Sequence, residues 1–251
     1  PSGAITMITT GGHIGDADFS PDGRRIAFHK GATGARDLYL VNADGTGLTQ
    51  LTNTPGVDET YPSWSPDGSK IAFSRMWKSA ANPGGIAIMA ARTGAPATLI
   101  KRNTTDGESV YTWERPDWSP RGGKIAVENW ENYLLGHSYS SVRVLTPTGG
   151  VLGPYIRDSI QPTFNPAGTK IAASYYRYDE PSHIQVLTLP NTRLDVYNRA
   201  DTDPVWSPDG TAIATVCGTD LCAMRADGSG IRTIKNGSTT YRIVPRSWRG
   251  F

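Results

Sequence analysis

The tetrapeptide Ser-Pro-Asp-Gly, followed within three residues by an Ile-Ala pair, recurs along the chain and restricts it to a fold built by repetition. It stands intact at Ser20-Pro21-Asp22-Gly23, Ser65-Pro66-Asp67-Gly68 and Ser207-Pro208-Asp209-Gly210, and altered at Ser119-Pro120-Arg121-Gly122 and Asn165-Pro166-Ala167-Gly168. An aromatic residue precedes each copy (Phe19, Trp64, Trp118, Phe164, Trp206) and Trp248 continues the series, so the successive intervals are 45, 54, 46, 42 and 42 residues. Intervals of about 40 to 45 residues built on short strands are the signature of propeller blades.

Within the second copy, Tyr61–Trp64, Lys70–Ser74, Ile86–Ala90 and Ala97–Ile100 read as four successive strands of one meander. The turn chemistry explains the tetrapeptide: Pro66 pre-sets φ, Asp67 tolerates the bridge region and Gly68 supplies positive φ. The preceding aromatic ends the innermost strand, where a bulky ring can wedge between sheets. The small Ala after each Ile (Ala27, Ala72, Ala126, Ala172, Ala214) lets neighbouring blades approach. A second hairpin signal follows the third strand at Asp44-Gly45, Thr93-Gly94, Thr148-Gly149 and Asp227-Gly228.

This repeat resembles the WD-like repeat of TolB-type β-propellers, also found in the propeller domains of prolyl-oligopeptidase-type peptidases. The resemblance covers about residues 15 to 248. It implies an all-β propeller of four-stranded blades, and it implies that members bind protein segments across the central funnel. Five complete repeats run from Asp16 to about Ile234. Tyr241–Trp248 reads as an inner strand and Ala4–Thr9 as an outermost one, so a composite, truncated sixth blade is expected; a five-bladed ring is the alternative.

A single domain spanning 1–251 is the simplest organisation, since no linker or low-complexity tract divides the 251 residues. A net charge of +2 with both signs interspersed, and no basic stripe among aromatics, excludes an evident nucleic-acid surface. No apolar run approaches the roughly 18 residues of a spanning helix. A monomer is expected, and the start at Pro1 without Met leaves room for a leader or an anchor ahead of it. Cys217 and Cys222 flank the hairpin residues Gly218–Leu221, which would set them face to face across a ladder. A disulfide and a reduced thiol pair both satisfy that spacing; the disulfide carries an extracytoplasmic location with it.

In this strand order the loops between strands two and three, and those entering the next blade, share one face. The Ser-Pro-Asp-Gly turns lie on the other. The oversized loops all fall on the first face and supply the candidate ligand-binding residues Trp77, Trp113, Arg115, Trp130, Tyr133, Tyr139, Tyr176 and Tyr178. Rings interleaved with carboxylates and amides suit a protein, peptide or glycan. Along the inner strands Asp16, Asp18, Glu59, Asp117, Asp201 and Asp203 place carboxylates near the funnel, where Ca²⁺ or a partner's Lys or Arg could sit, although such groups also serve strand ends and trapped water.

Catalysis has a weaker basis. Gly136-His137-Ser138-Tyr139-Ser140 comes within one residue of a nucleophile elbow but lies in a propeller loop rather than at a strand-to-helix turn. A glycoside hydrolase or polysaccharide lyase would draw its acid and base from Glu128, Glu131, His137, Asp179, Glu180 and His183. The preferred expectation is a non-catalytic recognition module without a bound cofactor; a carbohydrate-active enzyme is the alternative.

Overall fold

The computed structural model describes residues 13–76, 84–133, 136–177, 180–190, 192–196 and 201–235. They form five antiparallel sheets whose strands lie side by side in chain order. Blade one comprises Ile14–Phe19, Arg25–Lys30, Asp37–Asn42 and Thr49–Gln50; blade two Asp58–Trp64, Lys70–Met76, Gly85–Ala90 and Thr98–Arg102. Blade three comprises Ser109–Trp118, Ile125–Tyr133, Ser138–Leu145 and Val151–Arg157, with Thr104–Thr105 as an extra strand beside the innermost one. Blade four comprises Ser159–Phe164, Lys170–Arg177, Glu180–Thr188 and Thr192–Val196; blade five Asp201–Trp206, Ala212–Cys217, Asp220–Arg225 and Arg232–Lys235. The segments expected to make a sixth blade, Ala4–Thr9 and Tyr241–Trp248, lie outside the described residues.

Each repeat turn closes the way its composition dictates. The glycine N–H bonds back to the first residue's carbonyl at 2.8 to 2.9 Å in all five copies, and the glycines hold φ between 65° and 72°. In the three intact copies the serine hydroxyl donates to the aspartate at 2.5 to 2.6 Å, while that aspartate also accepts the backbone N–H of Arg24, Ser69 or Thr211. The Ser hydroxyl, foremost, and the backbone bond hold Asp67 and Asp209 down at about 2.

The apolar core is divided among blade interfaces. Ala27 of blade one shares a cluster with Trp64 of blade two, Ala72 with Trp118, Ala126 with Phe164, and Ala172 with Trp206. Each of these four methyls shares its cluster with the ring of the following blade, and a larger residue there would push that ring outward. Backbone latches accompany the rings: the N–H groups of Trp64, Trp118 and Phe164 donate to Asp18 (3.0 Å), Ser63 (2.8 Å) and Asp117 (2.6 Å) on the preceding inner strand. Extensive inter-blade packing runs from blade one through to blade five; among the described residues none comparable joins blade five to blade one.

Candidate functional site

All five inner strands carry a bulge at one level, where the pairing register shifts. The first bulge residues, Asp16, Tyr61, Arg115, Gln161 and Asp203, all have φ between 42° and 56°. Left-handed non-glycine residues are uncommon, and five at equivalent positions form a built feature. In blades two to five a proline follows (Pro62, Pro116, Pro162, Pro204), consistent with a strand position that need not donate to the ladder. These residues line a central cavity of about 130 Å³ together with Asp18, Ser63, Asp117 and Thr163.

The cavity wall is tied by polar contacts across blades. Arg115 stacks its guanidinium 4.1 Å from the Tyr61 ring centre and sets Nε 3.2 Å from Glu128 Oε1. Glu128 also accepts the Gln161 backbone N–H at 2.6 Å and the Trp130 indole N–H at 3.1 Å. Burial pushes the Glu128 carboxyl up to about 7 despite Arg115 and these donors. Gln161 donates through Nε2 to Asp203 at 2.5 Å, and the Asp203 backbone N–H returns to Gln161 Oε1 at 3.1 Å. Asp16 lies 3.2 Å from His29 Nδ1, and Glu59 pairs with Arg75 at 3.4 Å, so the acidic side chains of the inner strands are largely engaged between neighbouring strands. Among the described residues no group of three or more His, Cys, Asp or Glu is placed to hold a metal ion. Of Asp201 the backbone alone is described.

The long hairpins of blades three and four carry the remaining candidates on the opposite face from the repeat turns. Trp113 is buried against blade two, with Lys101 Nζ 4.6 Å from its ring centre. Trp130 meets Tyr176 edge-on at 6.2 Å, bridging the two hairpins, and Tyr133 meets Tyr139 edge-on at 5.9 Å. Tyr139 is 55% exposed and Tyr176 48%, while His137 is exposed as well. Glu131 accepts hydrogen bonds from the hydroxyls of Tyr111 (3.1 Å) and Tyr133 (2.6 Å). The bond to Glu131 is the main reason that the Tyr111 phenol rises to about 12. Glu180 pairs with Arg177 at 3.3 Å and accepts the Tyr175 hydroxyl at 2.8 Å, while His183 stacks on Tyr175 at 4.4 Å. Trp77, Tyr178 and Asp179 lie outside the described residues.

The structure therefore sets Arg115 in the cavity wall and pairs it with the buried Glu128, and it gathers Glu131, Tyr133 and Tyr139 on one hairpin. It also buries Trp113 between blades. Sequence reasoning missed Tyr61 and Gln161. The signal for both was present: a proline two residues before the repeat aromatic, in a segment that otherwise reads as a central strand, demands a bulge. Cys217 and Cys222 form a disulfide. They do not face each other directly: Cys217 pairs with Asp220 and Cys222 with Thr215, so the bridge runs diagonally across the hairpin, with Cα atoms 6.0 Å apart.

Radial four-stranded blades around a shared cavity, with stereotyped turns on one face and long aromatic hairpins on the other, define a WD-like β-propeller. The family model for the TolB beta propeller domain matches residues 2–149, and the chain belongs to that family. A protein TolB homolog of Chlorobium chlorochromatii is 28% identical over 154 residues, which cover 60% of this chain but only 31% of that relative. Among solved structures, TolB from Acinetobacter baumannii superposes with a TM-score of 0.69 at 18% identity, covering 97% of this chain and 59% of its own. An oligogalacturonate lyase from Vibrio parahaemolyticus does so at 0.53 and 12% identity, covering 91% and 78%. These two likenesses are of fold alone.

Proposed function

We propose that this chain is an extracytoplasmic recognition module that binds a protein or peptide across the face carrying the long hairpins of blades three and four. The observation that carries this reading is the set of aromatic rings on adjacent hairpins, Tyr133, Tyr139, Tyr176 and Trp130, which remain largely or partly exposed while the repeat aromatics Trp64, Trp118, Phe164 and Trp206 are buried. Rings of this kind supply contact area at low entropic cost and act as anchors at protein interfaces. The cavity of about 130 Å³ suits a single inserted side chain better than a sugar chain, being well below the roughly 300–1,000 Å³ of small-molecule pockets. The disulfide supports an oxidising compartment. Membership of the TolB propeller family supports recognition over chemistry, and no helix among the described residues is long and apolar enough to cross a membrane.

The candidate acids favour the same reading. Glu128 is spent on Arg115, Trp130 and the Gln161 backbone, and Glu180 on Arg177 and Tyr175. A photo-crosslinking residue in place of Tyr176, applied to the envelope and secreted fractions of the source organism, should give a discrete protein adduct. Tyr133→Ala should reduce its yield. Absence of any adduct, together with product release from a glycan panel that Glu128→Gln abolishes, would replace this reading by the enzymatic one.

A further inference from the structure

The hairpin of blade three places three tyrosines around one carboxylate. Glu131 is the cross-strand partner of Tyr111 on the inner side and of Tyr139 on the outer side. Directly opposed residues project from the same sheet face, and Tyr133, two residues along from Glu131, shares it. The tyrosines are not simply packed together. Tyr111 and Tyr133 both give their hydroxyls to Glu131 Oε1, and Tyr133 and Tyr139 stand at 89° to one another. Among the described residues no Lys, Arg or His forms an ion pair with Glu131. Asp106, which Tyr111 also reaches at 3.1 Å, adds a second negative charge beside the ring. One step down the same face, two residues beyond Tyr111, Trp113 already carries the Lys101 ammonium over its ring.

We propose that Glu131, Tyr111, Tyr133 and Tyr139 form a cation-receiving cage that takes an arginine or lysine side chain of the protein partner. This rests on the recognition reading and names the chemistry of one of its anchors. Ring faces attract a cation through their quadrupole, and the carboxylate at the centre supplies the full charge that the rings lack. A guanidinium can lie on a tyrosine face while donating to the Glu131 oxygen that the hydroxyls leave open, whereas Lys101 stands over Trp113 instead. The charge complementarity also predicts salt-sensitive association.

The test is an NMR titration of the full chain with a short Gly/Ser peptide carrying several arginines, its lysine counterpart and its citrulline counterpart, followed on the tyrosine ring resonances. Arginine and lysine peptides should produce saturable shifts that weaken with salt, and the neutral citrulline peptide should produce none. Glu131→Gln and Tyr139→Ala should each weaken binding roughly five- to tenfold, with unchanged thermal midpoints as the folding control. Tyr133→Phe, which removes only the hydroxyl bond, serves as a second variant and should weaken binding less. Equal binding of the citrulline peptide, or indifference to Glu131→Gln and Tyr139→Ala, overturns the cage. Tetramethylammonium binding as tightly as the arginine peptide overturns the assigned occupant in favour of a free quaternary amine. If the Tyr176 adduct forms undiminished in Glu131→Gln, recognition stands and the cage is not one of its anchors.

Discussion

Glu128 stands where the neighbouring blades carry serine. Ser74 and Ser174, each three residues after the repeat isoleucine as Glu128 is, accept the bulge N–H of Arg115 and Asp203 in the following blade, and Glu128 accepts that of Gln161. The longer side chain does the same work and also pairs with Arg115. Because the folded carboxyl titrates near 7 rather than at its ordinary 4.5, the native state holds more protons than the unfolded chain between those values. Stability from this group is therefore full below about pH 4.5 and lost as pH rises towards 7. Burial raises Glu59 and Glu114 in the same direction. Thermal midpoints recorded from pH 5 to 8 should decline across that window, and the decline should flatten in Glu128→Gln. At pH 8 Glu128→Ala should cost about 3 kcal/mol, since it strands Arg115 and an inter-blade N–H together. Glu128→Ser, which restores the acceptor found in other blades, should cost less in urea titrations.

At the scale of the element, the repeat turn is local chemistry and was readable from composition. Ser65 is buried, donates to Asp67 at 2.5 Å and accepts the Lys70 N–H at 2.9 Å, so Ser65→Ala should cost about 1–2 kcal/mol in chemical denaturation. The aspartates contribute with the opposite pH sign to Glu128. Their lowered values mean that turn stability is present above pH 4 and is lost as acid protonates Asp67 and Asp209 near 2. The inner-strand bulge was less legible, because a left-handed tyrosine or arginine contradicts local preference, and at Arg115 the bulge N–H is held by Ser74 of the preceding blade. The disulfide closes a loop with a sequence separation of only 5. Loop-closure entropy for so short a span is about 2 kcal/mol, and reduction should lower the unfolding free energy from denaturant titration by that amount without abolishing folding.

Across the whole molecule, the repeat aromatics differ in a way that their common spacing conceals. The indole N–H groups of Trp64 and Trp206 donate to carbonyls of the preceding inner strand, Asp18 at 3.2 Å and Thr163 at 3.1 Å. That of Trp118 is buried with no partner among the described residues. Trp118→Phe should therefore destabilise less than Trp64→Phe or Trp206→Phe, by about 1 kcal/mol, measured as urea midpoints at constant m-value. Equal losses at all three sites would mean that ring volume alone holds the blades together.

Blade type, turn geometry and strand order follow from composition, because each depends on residues close in sequence; the ring-on-methyl interfaces follow because the same pair recurs from one repeat to the next. Alternation along a strand likewise separates Glu128 from Glu131, three positions on, to opposite faces. Which face meets a neighbouring blade is a matter of assembly. Packing against blade four turned Glu128 from a surface acid into a buried latch, and packing against blade two took Trp113 out of solvent. Tyr133 and Tyr139 stayed exposed at the far end of their hairpin, with Glu131 partly so. Burial, and with it the division between scaffold and working surface, is set by non-local neighbours whose contacts local sequence does not encode.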